Sequence, residues 1–327
     1  MVRKTIIALG LLIAAALADG SALHAAAAPA PPVPVELNAA AVPADAKWII
    51  YLNFDQAMKN PAAGKLLANF LHTHRRAKKS ITRLEKAMGL KFPQDFHDAL
   101  LVGRNVGANH GLVVIHAASS QRRFEKFFQT QSAAITVTRL TDGIDKIVDK
   151  KGHTVYEASP AIDTFAASRS LASLRHELHV LAGRSAGMAA TNPLLAGAHR
   201  GGILYLADTD MARIANRPGG RHGPVWMKSV TGACLAAWVA KGRIKVSGRV
   251  NLKSPDAAAH VVQIAQGWQG AMDLGATNTN SNPRQRFLAG VADRLNVGAI
   301  GKAIRFHWSM SLAKLLAGPK SKPSAAQ

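Results

Sequence analysis

Lys47-Trp48-Ile49-Ile50-Tyr51-Leu52-Asn53, followed by Phe54-Asp55, is the stretch on which the fold turns. β-branched and aromatic residues dominate it, so it reads as a strand that Phe54-Asp55 ends. Far downstream, Gly202-Ile203-Leu204-Tyr205-Leu206-Ala207-Asp208 reads as a second strand of the same make-up, also ending in aspartate. Each is followed by a helical segment. After the first, Pro61 suits the opening turn of a helix over 61–88, with Leu66, Phe70, Ala77, Ile81, Leu84 and Met88 at helical spacing and Gly89 as its C-cap. After the second comes a short helix over Met211 to Ala215.

Working outward, the first half continues with strands at Ala99 to Gly103 and Gly111 to Ala117, then a helix at Gln121 to Thr130 capped by Ser119. Further strands are expected at Ala134 to Leu140, His153 to Ala158, Thr164 to Ser168 and Glu177 to Ala182, then a short helix at Ser185 to Leu195. The second half continues with a hairpin, Thr231 to Val239 and Arg243 to Leu252, turning at Lys241-Gly242. Ser254-Pro255-Asp256 opens a helix to about Met272 by the cap-then-proline signal. A helix at Arg284 to Leu295 and a strand over Val297 to Met310 complete it. Both halves thus run strand, helix, two strands, helix, strand. The expected fold is α+β: two packed βαββαβ-like lobes with antiparallel sheets, related by a diverged duplication.

The ends read differently. Arg3 and Lys4 precede an uncharged, mostly aliphatic run, Thr5 to Ala18, and then small residues up to Ala28. A basic start, a short apolar run and an Ala-x-Ala site make a secretory signal peptide over 1–27. The run falls short of the roughly 20 residues of a spanning helix, which leaves an uncleaved anchor as the lesser alternative. Residues 28–41 are an Ala/Pro-rich linker, 42–200 and 201–317 the two lobes, and 318–327 a tail with almost nothing to bury. The expected location is therefore periplasmic or extracellular, with no transmembrane helix in the mature chain.

Lys plus Arg number 41 against 19 Asp plus Glu, a net charge of +22. Such a surface attracts polyanions: nucleic acid, anionic polysaccharide, lipopolysaccharide or an acidic membrane face. Cys234 is the sole cysteine and sits in an apolar run, which excludes an internal disulfide or a cysteine zinc site and suits a buried small hydrophobe.

The catalytic signatures are missing. There is no G-x-S-x-G elbow, no G-x-G-x-x-G and no Walker lysine loop. His176-Glu177-Leu178-His179 has the wrong spacing for a zinc protease helix, and in a strand its histidines would point apart. His72 and His74, two apart on a helix, do not face one another. Asp208 and Asp210 form a carboxylate pair near a strand end, of which Asp210 suits the cap of the following helix; His153 suits a surface turn, and Asp142, Asp145 and Asp149 a solvated charge mixture among Lys146, Lys150 and Lys151. No cofactor and no metal are expected.

The best positive site is a surface. Lys241, Arg243, Lys245, Arg249 and Lys253 alternate with Ile244, Val246, Val250 and Leu252, so period two puts the cations on one sheet face. Same-face neighbours lie about 6.6–6.8 Å apart, near the charge spacing of an extended polyanion. Arg305 and His307 alternate likewise with Ile304, Phe306 and Trp308. The 61–88 helix offers Arg75, Arg76, Lys78, Lys79 and Arg83 as a second cationic set. This face is expected to carry almost no interleaved aromatics, which argues against sequence-specific nucleic acid.

Val42-Pro43-Ala44-Asp45-Ala46-Lys47-Trp48, the strand ending Phe54-Asp55, Asn60-Pro61, and Gly152-His153-Thr154-Val155-Tyr156 together resemble a family of uncharacterised exported bacterial proteins, a domain of unknown function. The resemblance spans roughly residues 40 to 312. It implies an exported, two-lobed protein and brings no catalytic residues. The expectation is an exported, non-enzymatic binding or scaffolding protein; an envelope hydrolase with an unrecognised site and a periplasmic chaperone or assembly factor are the alternatives.

Overall fold

The computed structural model describes residues 37–73, 82, 85, 90–104, 111–118, 135–198, 201–211, 225–277 and 289–317. The expected signal peptide (1–27), most of the expected linker, the helix expected at Gln121 to Thr130, all but Met211 of the helix expected at Met211 to Ala215, and residues 318–327 lie outside them.

Twelve strands form one antiparallel sheet. They are β1 (Trp48–Asn53), β2 (Phe96–Gly103), β3 (Gly111–Ala117), β4 (Ile135–Arg139), β5 (Asp145–Asp149), β6 (Thr154–Ala161), β7 (Thr164–Ser168), β8 (Gly202–Asp208), β9 (Val230–Ala240), β10 (Arg243–Leu252), β11 (Leu295–Ile300) and β12 (Ala303–Ser311). The order across the sheet is β11-β12-β10-β9-β8-β1-β2-β3-β7-β6-β5-β4. With α1 (Phe54–Met58), α2 (Pro61–Thr73), α3 (Leu171–Leu181), α4 (Pro255–Thr277) and α5 (Leu312–Ala317), the fold is α+β.

The two strands that opened the sequence reading meet at the middle. β1 pairs with β8 antiparallel, with Tyr51 opposite Tyr205, Ile50 opposite Leu206 and Leu52 opposite Leu204. This pairing puts the strands of both halves into one sheet, so their side-chain alternation is shared across it. One face carries Ile49, Tyr51, Leu100, Val102, Leu112, Val114 and Tyr205, covered by Val42, Leu174, Met188, Leu194 and Leu195. The other carries Leu52, Leu101, Val113 and Leu204 with Phe54 of α1, and α4 covers β10, β11 and β12 on that side. The central strands are buried on both faces, which is why Ala99 to Val102 is an unbroken apolar run.

Four local expectations are corrected. Glu177 to Ala182 belongs to a helix, α3, instead of a strand: the Ser170 hydroxyl caps it by accepting from the Ser173 N–H at 3.2 Å. Leu171, Leu174 and Leu178 then recur at helical spacing, and the alternation of Leu178 and Val180 loses to that period. Val297 to Met310 is a hairpin instead of one strand: Gly301, at φ 55°, makes the turn between Ile300 and Ala303. Ser185 to Leu195 contains no α-helix, only the 3-10 turn Pro193–Leu195, because the backbone there follows the 39–43 segment, with Met188 N–H donating to Val42 O at 2.7 Å. Asp145 is not solvated: it lies buried in β5, where Arg139 donates to it at 2.8 Å.

α3 carries an anomaly. Glu177 is fully buried, and neither of its carboxylate oxygens has a hydrogen-bond partner. Beside it is a cavity of about 20 Å³ lined by Pro43, Ala46, Val102, Leu112, Ser173 and His176, among others. Arg104 and Asp45 at its margin pair with each other at 2.7 Å, so no charge compensates Glu177. Burial pushes the Glu177 carboxyl up to about 8. Glu177 is thus protonated at neutral pH.

The unfolded chain ionises this group near 4.5, well below the folded value. Stability from this site is therefore full below about 4.5 and is lost as pH rises through about 8, a fall on the order of a few kcal/mol. Melting scans between pH 5 and pH 9 should show it, and Glu177→Gln should flatten that dependence whatever its effect on absolute Tm. An unchanged slope in the variant would remove the assignment.

Candidate functional site

β9 and β10 are joined by the two-residue turn Lys241-Gly242, both at positive φ (50° and 69°), as a primed hairpin turn requires. Ala240 therefore faces Arg243, and counting back places Trp238 opposite Lys245, Ala236 opposite Ser247 and Cys234 opposite Arg249. On its other side β10 meets β12, with Ser309 opposite Lys245, His307 opposite Ser247 and Arg305 opposite Arg249. All of these side chains share one face. It is the face that carries the Tyr51–Tyr205 core at the sheet centre; past β9 no described element covers it.

The result is a cationic shelf on β10 and β12. Arg243 is pinned across it, its Nε donating to Ser309 Oγ at 2.9 Å and an Nη to Ser309 O at 3.0 Å. Arg249 Nε donates to Asn251 Oδ1 at 2.8 Å. Along β9 the shelf has a wall: Tyr205 Oη donates to Leu194 O at 2.6 Å, and Gly197 lies so close to Cys234 that a Cβ there would sit 2.5 Å from Sγ. Burial raises the Cys234 thiol pKa, so Cys234 is a half-buried filler at the foot of the wall. On the underside, Phe306 packs over Gly248, whose missing side chain is the space the ring occupies.

The electrostatics are one-sided. Among the described residues no carboxylate pairs with Arg243, Lys245, Arg249 or Arg305. The acids are used elsewhere: Asp45 on Arg104, Asp145 on Arg139 and Asp142 on Arg175. Between Val225 and Ala317 there are twelve Lys and Arg but three Asp and no Glu, so the shelf has little chance of internal neutralisation. Arg249 and Arg305 stand directly opposite on neighbouring strands, an arrangement that costs free energy when nothing anionic lies between them. His307 rests 6.3 Å from Trp238 between ring centres; its partly covered position, and then Lys245 beside it, hold its pKa below 6.5.

The expected cations are thus partly gathered. Arg243, Lys245, Arg249, Arg305 and His307 share the shelf. Lys241 sits in the turn, and Lys253 follows the strand end, past the register shift between Asn251 and Leu252. Arg75, Arg76, Lys78, Lys79 and Arg83 lie outside the described residues. Trp238 is the main addition. It was reachable from the sequence by counting four residues back from Gly242, but strand-by-strand reading does not show which residues meet across a turn.

Other groups stay apart. Asp208 accepts from the Asp210 N–H at 2.6 Å, and burial raises its pKa. The Asp98–His116 pair (2.7 Å) is at the opposite strand ends, since Asp208 faces Trp48 and Asp98 faces Asn53. Its hydrogen bond to Asp98 raises the His116 pKa. His153 bonds to Asp149 at 2.9 Å and is exposed. His176 lies 3.9 Å from Asp45. Among the described residues no three His, Cys, Asp or Glu side chains converge on a metal-sized site, and no helix is long and apolar enough to cross a membrane.

No protein-family model matches the chain, and no curated protein matches it. Among solved structures it is similar to TP0453. Crystal form III is 11% identical at TM-score 0.46, with 87% of this chain and 97% of that one covered. Form I is 10% identical at TM-score 0.41, covering 85% and 94%. Form IV is 8% identical at TM-score 0.41, covering 87% and 96%.

Two outcomes follow from the shelf's construction. By NMR titration His307 should take its proton at lower pH than a histidine in the unfolded chain, and Lys245→Gln should move that midpoint upward. Gly248→Ala should destabilise the protein by about 1–3 kcal/mol in urea unfolding, because the added methyl overlaps the Phe306 ring.

Proposed function

We propose that this chain is an exported, non-enzymatic binding or scaffolding protein whose cationic shelf holds anionic envelope material. The observation that carries this is the Arg249–Arg305 opposition, with no carboxylate pairing to either among the described residues. Like charges directly opposite on neighbouring strands repel, and an anion bound by both would remove the repulsion and add charge-assisted hydrogen bonds. A surface kept basic only for solubility would not need arginines at opposing ladder positions.

The same reading takes residues 1–27 as the export signal, 42–200 and 201–317 as the two halves, and those halves as diverged copies of one unit. The β1–β8 register supports the duplication. Tyr51 and Tyr205 hold equivalent places in their strands and face each other, as two copies related by a local two-fold axis would require.

Arg249→Glu separates the roles of the shelf. It should form an ion pair with Arg305 and raise stability by about 0.2–1 kcal/mol. At the same time it should lower the salt concentration needed for elution from heparin or lipopolysaccharide resin. Charge reversal at Lys241, Arg243, Lys245 and Arg249 together should abolish retention at moderate salt. If about four contacts are made, wild-type affinity should drop roughly 50-fold between 50 and 200 mM salt. Unchanged elution in the reversed variants would end the proposal.

A further inference from the structure

Resting on that reading of the cations, we propose that the occupant of the shelf is an acidic polysaccharide chain, one sugar ring of which packs against Trp238. Three features of the shelf separate this occupant from other polyanions.

The first is the ring itself. Trp238 is brought onto the cationic face by the hairpin register, directly beside Lys245 and next to His307. A flat, half-buried indole edged by cations suits a pyranose, whose C–H face is apolar while its rim carries acid groups. Nucleic acid sites use several rings for successive bases; among the described residues the open shelf on β9, β10 and β12 presents one tryptophan and one histidine.

The second is what lies between the charges. Along β10 Ser247 lies between Lys245 and Arg249 and Asn251 follows Arg249, and Ser309 and Ser311 extend β12 beyond Arg305 and His307. Neutral donors and acceptors placed between guanidinium groups match a polymer with hydroxyls between its acid groups. Polyphosphate has none. From Arg243 to Arg249 the strand runs about 20 Å, long enough for several rings, and the Leu194–Gly197 wall makes it a groove with one closed side.

The third is the absence of an insertion surface beside the cations. A lipid layer is held by charge together with apolar side chains entering it from the same side. Among the described residues, Ile264, Trp268 and Leu274 are exposed on α4, which packs on the opposite face of the sheet; Ile300 alone lies at the shelf's margin.

The test measures affinity at one fixed salt concentration for four probes: a sulfated heparin hexasaccharide, polyphosphate of matched charge, phosphatidylglycerol vesicles and single-stranded DNA. The hexasaccharide is expected to bind about tenfold tighter than polyphosphate, the scale of one ring-stacking contact. Trp238→Ala should erase that preference while leaving polyphosphate binding unchanged, and Trp238→Phe, which keeps a ring, should retain most of it. Circular dichroism checks that both variants fold. Equal binding of hexasaccharide and polyphosphate with no effect of Trp238→Ala overturns the sugar assignment and leaves the cation reading standing. Tighter binding of vesicles or DNA overturns it in favour of those partners. Loss of neither ligand in Arg243→Glu/Arg249→Glu overturns the cation reading itself.

Discussion

The antiparallel pairing of β1 with β8 is the contact on which the rest of the molecule depends. Without it each half would own a separate sheet, with separate inside and outside faces. With it, Tyr51 and Tyr205 set a single alternation across twelve strands. The face that holds the core under α3 at the centre is therefore the same face that holds Arg243, Lys245 and Arg249 further out. The shelf begins where the covering segment stops, along β9, and the Tyr205–Leu194 hydrogen bond fixes that boundary.

Charge follows the same division. In the first half, acids stand beside arginines and pair with them; the exposed pairs Arg104–Asp45 and Arg175–Asp142 contribute little to stability but neutralise the surface, and Arg139 neutralises the buried Asp145. In the second half the acids are few and the cations are ranked on adjacent strands. Arg243 is tied down by Ser309 and Arg249 by Asn251, so hydrogen bonds within the sheet orient both guanidinium groups. Burying Glu177 without a partner is the converse case, in which a polar group is accommodated by protonation instead of pairing.

Strands whose own composition was decisive were legible from the sequence: Trp48 to Asn53, Gly202 to Asp208, and the hairpin closing at Lys241-Gly242. Elements whose local signal was mixed were not. The His176-to-Ala182 run contains alternating aliphatics, yet it is helical because Ser170 caps it and three leucines match the helical period against the sheet. Val297 to Met310 reads as one β-rich stretch because its turn is marked by Gly301 alone.

Taken alone, the sequence determined the charge excess, the strand character of its most β-rich runs and the alternation of Arg243, Lys245 and Arg249 with aliphatics, because these depend on composition and on a period of two. Tertiary structure decided which strands are neighbours. That choice set Arg305 opposite Arg249, brought Trp238 and His307 to the cations, and buried the Glu177 side chain of α3. Each is a contact between residues distant in the chain or across a turn, whose geometry depends on register, and register is specified by the packing of the whole sheet.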